Sequence, residues 1–248
     1  MSAQIFLLLL GAGVAAGLSG SIAGLASLFS YPALLVAGLS ATAANVTNTV
    51  SLAVSSFGSV AGSRPELAGQ YSVIRRFALV ALAGGATGAG LLLLTPPGVF
   101  ERIVPFLIGC GSGVVLLQPR LHFPAAQRRR TRPIVVTGLF GVSVYSGYFG
   151  AAAGVLTLAL LLAALPETLL RLNALKNVLM GLSNMIAALG FTFLGPVSWA
   201  FALPLAIGLL IGGFIGPSVA RRLPATVLRV TVAVAGLGLA VKLGFDAW

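Results

Sequence analysis

Residues 170–184 read LRLNALKNVLMGLSN. The apolar positions keep a helical period, yet Asn173, Lys176 and Asn177 fall within one turn of each other. Asn184 returns, seven residues on, to the face of Asn177. A lysine in such a helix has two readings if the helix lies in a membrane. It snorkels to the interface on its four-carbon stem, or it faces a polar interior and serves a function there. Lys176 stands about 7.5 Å of helix in from the start of its segment, a depth from which snorkelling can reach water. The amides beside it point to the second reading, a counter-charge for an anion lined by asparagines. Against this stands simple interhelical hydrogen bonding.

The rest of the chain says that the solvent is lipid. Of 248 residues, 58% are hydrophobic and 8% are charged, where a soluble domain carries about 25% charged residues. The mean hydropathy is +1.06. These values predict an all-α polytopic membrane protein. The formal charge of +11 does not indicate nucleic acid, because the arginines sit in short loops between apolar segments, where they set topology. The single cysteine, Cys110, excludes an internal disulfide. The first apolar run, AQIFLLLLGAGVAAGL, lacks a basic leader and reads as a retained segment rather than a cleaved signal.

Ten hydrophobic segments are expected, at 3–18, 24–38, 42–62, 74–94, 100–118, 133–148, 153–165, 172–194, 198–219 and 225–245. The first two, and the sixth and seventh, are short. Each short pair is joined by a knot of small residues, SGSIAGLAS at 19–27 and SGYFGAAAG at 146–154. An offset of 127 superposes Ser19-Gly20 on Ser146-Gly147, Gly85 on Gly212, Pro97 on Pro224 and Arg102 on Arg229. An offset of 128 superposes Asn45, Val50 and Ser55 on Asn173, Val178 and Ser183. The chain therefore divides into a first membrane repeat (1–118), a basic cytoplasmic loop (119–132) and a second repeat (133–248). Arg64, Arg75 and Arg76, the arginines of 119–132, and Arg221 and Arg222 all fall on one side when every segment crosses. That side is cytoplasmic, and both termini are then periplasmic. Five segments per repeat is an odd number, so the repeats have inverted topology, with broken or re-entrant helices meeting near the midplane.

Helix starts at 24–27 and 151–154 would present free N–H groups to an anion. Ser19, Ser21, Ser27 and Tyr148 add hydroxyls, and Gly150 leaves the backbone accessible. The polar stretch ANVTNT carries Asn45, Thr47, Asn48 and Thr49 where the second repeat carries Asn173, Lys176 and Asn177. These twelve residues form the expected substrate site. The acids Glu66, Glu101, Glu167 and Asp246 lie in loops or at segment ends, His122 stands alone in the basic loop, and no GxxxxGK[ST] loop occurs. No enzyme, metal site or cofactor is expected from such a set.

The second half, GYFGAAAGVLTLALLLAALPETLLRLNALKNVLMGLSNMIAALGF (147–191), resembles the TauE/SafE family of sulfite exporters, with GPVSW (195–199) and ARRLP (220–224) as further landmarks. The first half departs from the family's glycine-rich pattern, with Ala23, Leu25, Ala26 and Ser27 ahead of Pro32. The resemblance implies export of a small anion, sulfite or an organosulfonate, across a bacterial inner membrane, and the inverted repeats add the expectation of alternating access. The resemblance places the NALKN residues, Asn173 to Asn177, and both knots at the site. An anion channel and a non-transporting scaffold are the alternatives, and the small-residue helix faces also suit a homodimer.

Overall fold

The computed structural model describes residues 2–117 and 132–222. Within them the chain is helix and turn: α1 (Ala3–Ala23), α2 (Ser27–Val36), α3 (Ala41–Gly62), the single turn α4 (Arg64–Leu67), α5 (Tyr71–Leu94), α6 (Pro97–Leu117), α7 (Arg132–Tyr148), α8 (Ala153–Ala164), α9 (Leu169–Leu194) and α10 (Trp199–Ala220). The expected segment 225–245 and all of the basic loop except Arg132 lie outside the described residues.

One boundary differs from the sequence reading. The first segment does not stop at residue 18: α1 runs through Ser19–Ala23, and its 21 residues suffice to cross a bilayer. Nothing in SGSIA breaks a helix. The break comes at Gly24, in the left-handed region at φ 76°, with its N–H bonded to the Gly20 carbonyl. Helices α2 and α8 are short, at 10 and 12 residues. At 1.5 Å per residue they span roughly 15 and 18 Å, about half of a hydrocarbon core.

Helices α1, α5, α9 and α10 are each long and apolar enough to cross a membrane. Helix α3 has the length, 22 residues, but carries Asn45, Thr47, Asn48, Thr49 and Ser51, all buried. The outside is apolar instead: Leu79, Leu94, Phe193 and Leu194 are each at least 75% exposed. Polar inside and greasy outside is the arrangement a bilayer demands.

Glycines set the packing. A Cβ on Gly13 or Gly17 would strike the backbone of α10 at Leu205–Leu209 and Leu209–Gly213, and one on Gly84 or Gly88 would strike α7 at Phe140–Val144 and Val144–Tyr148. Both pairs therefore advance in register and run parallel. Helix α3 runs parallel to α10, with Gly58 against Leu210 and Gly62 against Phe214. Helix α9 runs parallel to α5, with Arg171 beside Gln70 and Ser183 beside Gly85. Helices α3 and α9 cross antiparallel, Ser56 meeting Gly181 and Val46 meeting Gly195. One set (α1, α3, α10) thus points one way and the other (α5, α7, α9) the opposite way.

The ends of α3 and α10 and the starts of α5 and α9 gather at one end of the molecule. Arg221 donates to the Glu66 carboxylate at 2.8 and 3.0 Å and to the Gly62 carbonyl at 3.1 Å. Gln70 bonds the Arg171 carbonyl and Arg171 bonds the Ala68 carbonyl. Arg64 begins α4, Arg75 and Arg76 lie near the start of α5, and Arg222 follows α10.

Two outcomes follow. Gly17→Val should lower thermal stability in detergent, by at least the 1–3 kcal/mol or so typical of overpacking. Gly90→Ala, where an added Cβ meets nothing, should be neutral or slightly stabilising. The hydrogen bonds from Arg221 hold the Glu66 carboxyl below its usual range. This contact therefore stabilises the fold above the ordinary carboxylate range and is lost as pH falls through the lowered value. Melting curves between about pH 6 and pH 3 should show Glu66→Gln losing less stability than the wild type.

Candidate functional site

Breaking a helix inside a membrane frees carbonyls at one side of the break and N–H groups at the other. Helix α1 closes with Gly24 N–H on the Gly20 carbonyl at 2.8 Å and Leu25 N–H on the Ser19 carbonyl at 3.3 Å. Helix α7 closes with Phe149 and Gly150 N–H on the Tyr145 carbonyl, each at 2.9 Å. Gly150 is left-handed at φ 78°, and so is Ala152 at φ 58°, a conformation that costs an alanine about 1–2 kcal/mol. The two breaks touch: Gly24 and Gly154 abut backbone to backbone, with no room for a Cβ on either.

The carbonyls left over at each break are met by an asparagine from the other half. Asn173 Nδ2 donates to the Ser21 carbonyl at 2.8 Å, and Asn45 Nδ2 donates to the Tyr148 carbonyl at 2.8 Å. At the end of α1 there is more. Lys176 Nζ donates to the carbonyls of Gly20 (2.9 Å) and Ser21 (3.4 Å), and Asn177 Nδ2 reaches Ser21 at 3.5 Å. Lys176 is 1% exposed, so it does not snorkel. The negative end of the α1 dipole receives its charge. No carboxylate among the described residues pairs with it; Glu66 holds Arg221 and Glu167 holds Arg171. An ammonium has three N–H donors, and the two carbonyls leave one for a ligand.

That ligand has a place. A cavity of about 70 Å³ lies between the breaks and the crossing of α3 with α9. One water needs about 10–15 Å³ of such space, so roughly five waters or one anion of four or five heavy atoms fits. Of the twelve expected residues, Ser27, Thr49, Gly150, Lys176 and Asn177 line it. So do Ala26, Ala153 and Gly154, which begin α2 and α8 or directly precede them.

The other seven expected residues are placed around it. Ser19 and Ser21 turn their hydroxyls back onto the carbonyls of Ala16 and Gly17. Thr47 Oγ1 accepts the Ser198 N–H at the start of α10, and Tyr148 OH donates to Thr95 Oγ1 at 3.4 Å. Asn45 and Asn173 bond the breaks as described, and Asn48 Nδ2 donates to Ser27 Oγ at 3.4 Å. The side-chain amide oxygens of Asn45, Asn48 and Asn173 are buried without a hydrogen-bond partner.

Asn184, on the amide face, and Ser146, the first residue of the second knot, also line the cavity, as do Ser55, Ser56, Ser59 and Met180, which sequence reasoning left out of the site. The signal was present: Thr49, Leu52, Ser56 and Ser59 follow one helical face, as do Asn177, Met180 and Asn184. Phe149 forms the remaining wall. Behind it stand Tyr31 (ring centroids 5.2 Å apart) and Phe100 (6.1 Å), and Phe100 in turn meets Tyr148 at 5.8 Å. This aromatic layer lies toward the α5–α6 turn, the end opposite the arginines.

The chain is similar to proteins described as probable membrane transporters. It is 26% identical over 233 residues to the probable membrane transporter protein YfcA of Escherichia coli (strain K12), covering 94% of this chain and 87% of that one. It is 26% identical over 236 residues to the probable membrane transporter protein ORF9 of Sinorhizobium sp, covering 93% and 89%. No solved structure matches significantly. The family model for the sulfite exporter TauE/SafE matches residues 9–243. With that match spanning nearly the whole sequence, the chain belongs to the TauE/SafE sulfite exporter family of membrane transporters.

Proposed function

We propose that the protein is a secondary transporter that exports a small anion, sulfite or an organosulfonate, across the bacterial inner membrane by alternating access. The observation that carries the reading is Lys176. A buried ion costs several kcal/mol unless it is paired and hydrogen-bonded. This one has carbonyl dipoles, no carboxylate among the described residues, and a cavity beside it. An anion in that cavity completes the pairing. Asn177, Asn184 and the N–H groups of Ser27 and Gly154, whose neighbours in the first turns of α2 and α8 bond the preceding carbonyls, take the place of its hydration shell.

Two further features support the plan. The pairing of α1 with α10 and α3 has its counterpart in that of α7 with α5 and α9, and each helix runs opposite to its counterpart. Such a relation is what two inverted repeats of five segments produce. The arginine-rich end is the cytoplasmic one by the distribution of positive charge, which puts the N-terminus in the periplasm. The aromatic layer of Phe149, Tyr31 and Phe100 then closes the cavity on the periplasmic side. An inside-negative potential drives an anion outward with about 2.3 kcal/mol per charge per 100 mV.

Thermal stabilisation of the purified protein by sulfite, sulfate, sulfoacetate and chloride tests the reading on wild type and Lys176→Met. One sulfur oxyanion should raise the melting temperature of the wild type and lose at least about tenfold in affinity in the mutant, a difference of roughly 1.4 kcal/mol. Equal stabilisation of both proteins would remove Lys176 from the site. Proteoliposomes that show no efflux of any of these anions would sink the transport reading itself.

A further inference from the structure

The inner faces of α3 and α9 belong to the polar cavity, but their outer faces are shaped as well. Helix α3 packs between α9 and α10, and Phe57 stands out from it at 61% exposure. Two apolar grooves flank this side chain. The first, of about 360 Å³, lies between α3 and α9 against Val60, Val178, Leu182 and Met185. The second, of about 400 Å³, lies between α3 and α10 against Leu210, Ile211 and Phe214. Phe57 and Ala61 line both, so they form the ridge between them. Arg64 lines the first groove at the arginine-rich end of the molecule. The acids at that end are taken, since Glu66 holds Arg221 and Glu167 holds Arg171. The exposed Arg64 therefore has no carboxylate partner among the described residues.

From Ser56, where α3 crosses α9, to Arg64 is about 12 Å of helix, close to the roughly 15 Å of hydrocarbon in one leaflet. The first groove thus runs from the middle of the membrane to the headgroup level, which is the course of an acyl chain. Two grooves of nearly equal size, parted by one ridge and headed by an unpaired guanidinium, match the two chains and the phosphate of a single lipid. A guanidinium offers phosphate a fork of N–H donors, and basic pockets between membrane helices hold anionic headgroups. We propose that α3, α9 and α10 bind one anionic diacyl phospholipid, its chains on either side of Phe57 and its phosphate on Arg64. Ser56 lines both the first groove and the central cavity. A chain in that groove therefore backs a side chain that walls the cavity. The lipid site goes beyond the transport reading and needs only that the protein lies in a membrane.

Native mass spectrometry of the full chain, after exchange into phosphatidylglycerol or phosphatidylcholine, counts the lipids it retains. Wild type should keep one phosphatidylglycerol about fivefold more tightly than phosphatidylcholine, the factor for one arginine near an anionic headgroup. Arg64→Gln should lose this preference. Arg76→Gln, which removes an exposed arginine at the same end but outside both grooves, should keep it. Ala61→Phe, which fills the grooves from the ridge, should retain neither lipid. Should Ala61→Phe fail to fold, Arg64→Gln, a change at an exposed side chain, decides the matter against Arg76→Gln. Equal retention of the two lipids by the wild type overturns the proposal, and so does a preference that survives Arg64→Gln. Equal loss in Arg64→Gln and Arg76→Gln also overturns it, because diffuse charge then suffices. A wild type that keeps no lipid gives the grooves to a second copy or to residues 223–248, and overturns it too. No sulfur anion is present in these measurements, so a negative result leaves the transport reading standing.

Discussion

Every broken helix in a bilayer must find partners for the backbone groups it frees, and this protein is organised around meeting that requirement twice. The carbonyls at the end of α1 are met by Asn173, Lys176 and Asn177, and those at the end of α7 by Asn45. The residues that do so come from α9 and α3, the two helices that cross at the centre. This is why Asn45, Thr47, Asn48, Thr49 and Ser51 of α3 are buried and why a lysine survives in α9 at 1% exposure. Leaving such groups unsatisfied in hydrocarbon costs several kcal/mol apiece. The same geometry that settles this cost leaves a small polar cavity beside one cation.

The glycine seams are the second half of the construction. Parallel contact of α1 with α10, and of α7 with α5, brings backbones close enough that a Cβ would overlap a carbonyl. Close approach carries the broken helices inward until Gly24 and Gly154 touch. With larger residues in the seams, the breaks would stand apart and α3 and α9 would have no carbonyls within reach of their asparagines.

Much of this was legible in the sequence. Composition gave the membrane, the two small-residue knots gave the breaks, and the matched asparagines at 45 and 173 marked the polar helices. The lysine posed its own question, and only the fold answered it: its depth allowed snorkelling, but the carbonyls of Gly20 and Ser21 lie 156 and 155 residues away in sequence. Hydroxyl content misled where helices supply their own acceptors, as at Ser19 and Ser21, which bond back to the preceding turn. Ser56 and Ser59 went unnoticed because serines in a Ser-rich helix carry no contrast until one face is known. The end of α1 was misplaced by five residues because small residues were read as a break, when the left-handed glycine alone makes it.

The seams have a mechanical meaning as well. Interdigitated side chains act as teeth, and two helices so engaged move past each other only by rotamer jumps. A glycine face has no teeth. Helix α1 meets α10 through such a face around Gly13 and Gly17, and α7 meets α5 through a second one around Gly84 and Gly88. The side-chain-rich contacts among Leu172, Leu175, Leu179, Phe77 and Leu158 hold their helices in fixed register. The fold therefore sets two seams of backbone on backbone beside a core of interlocked side chains.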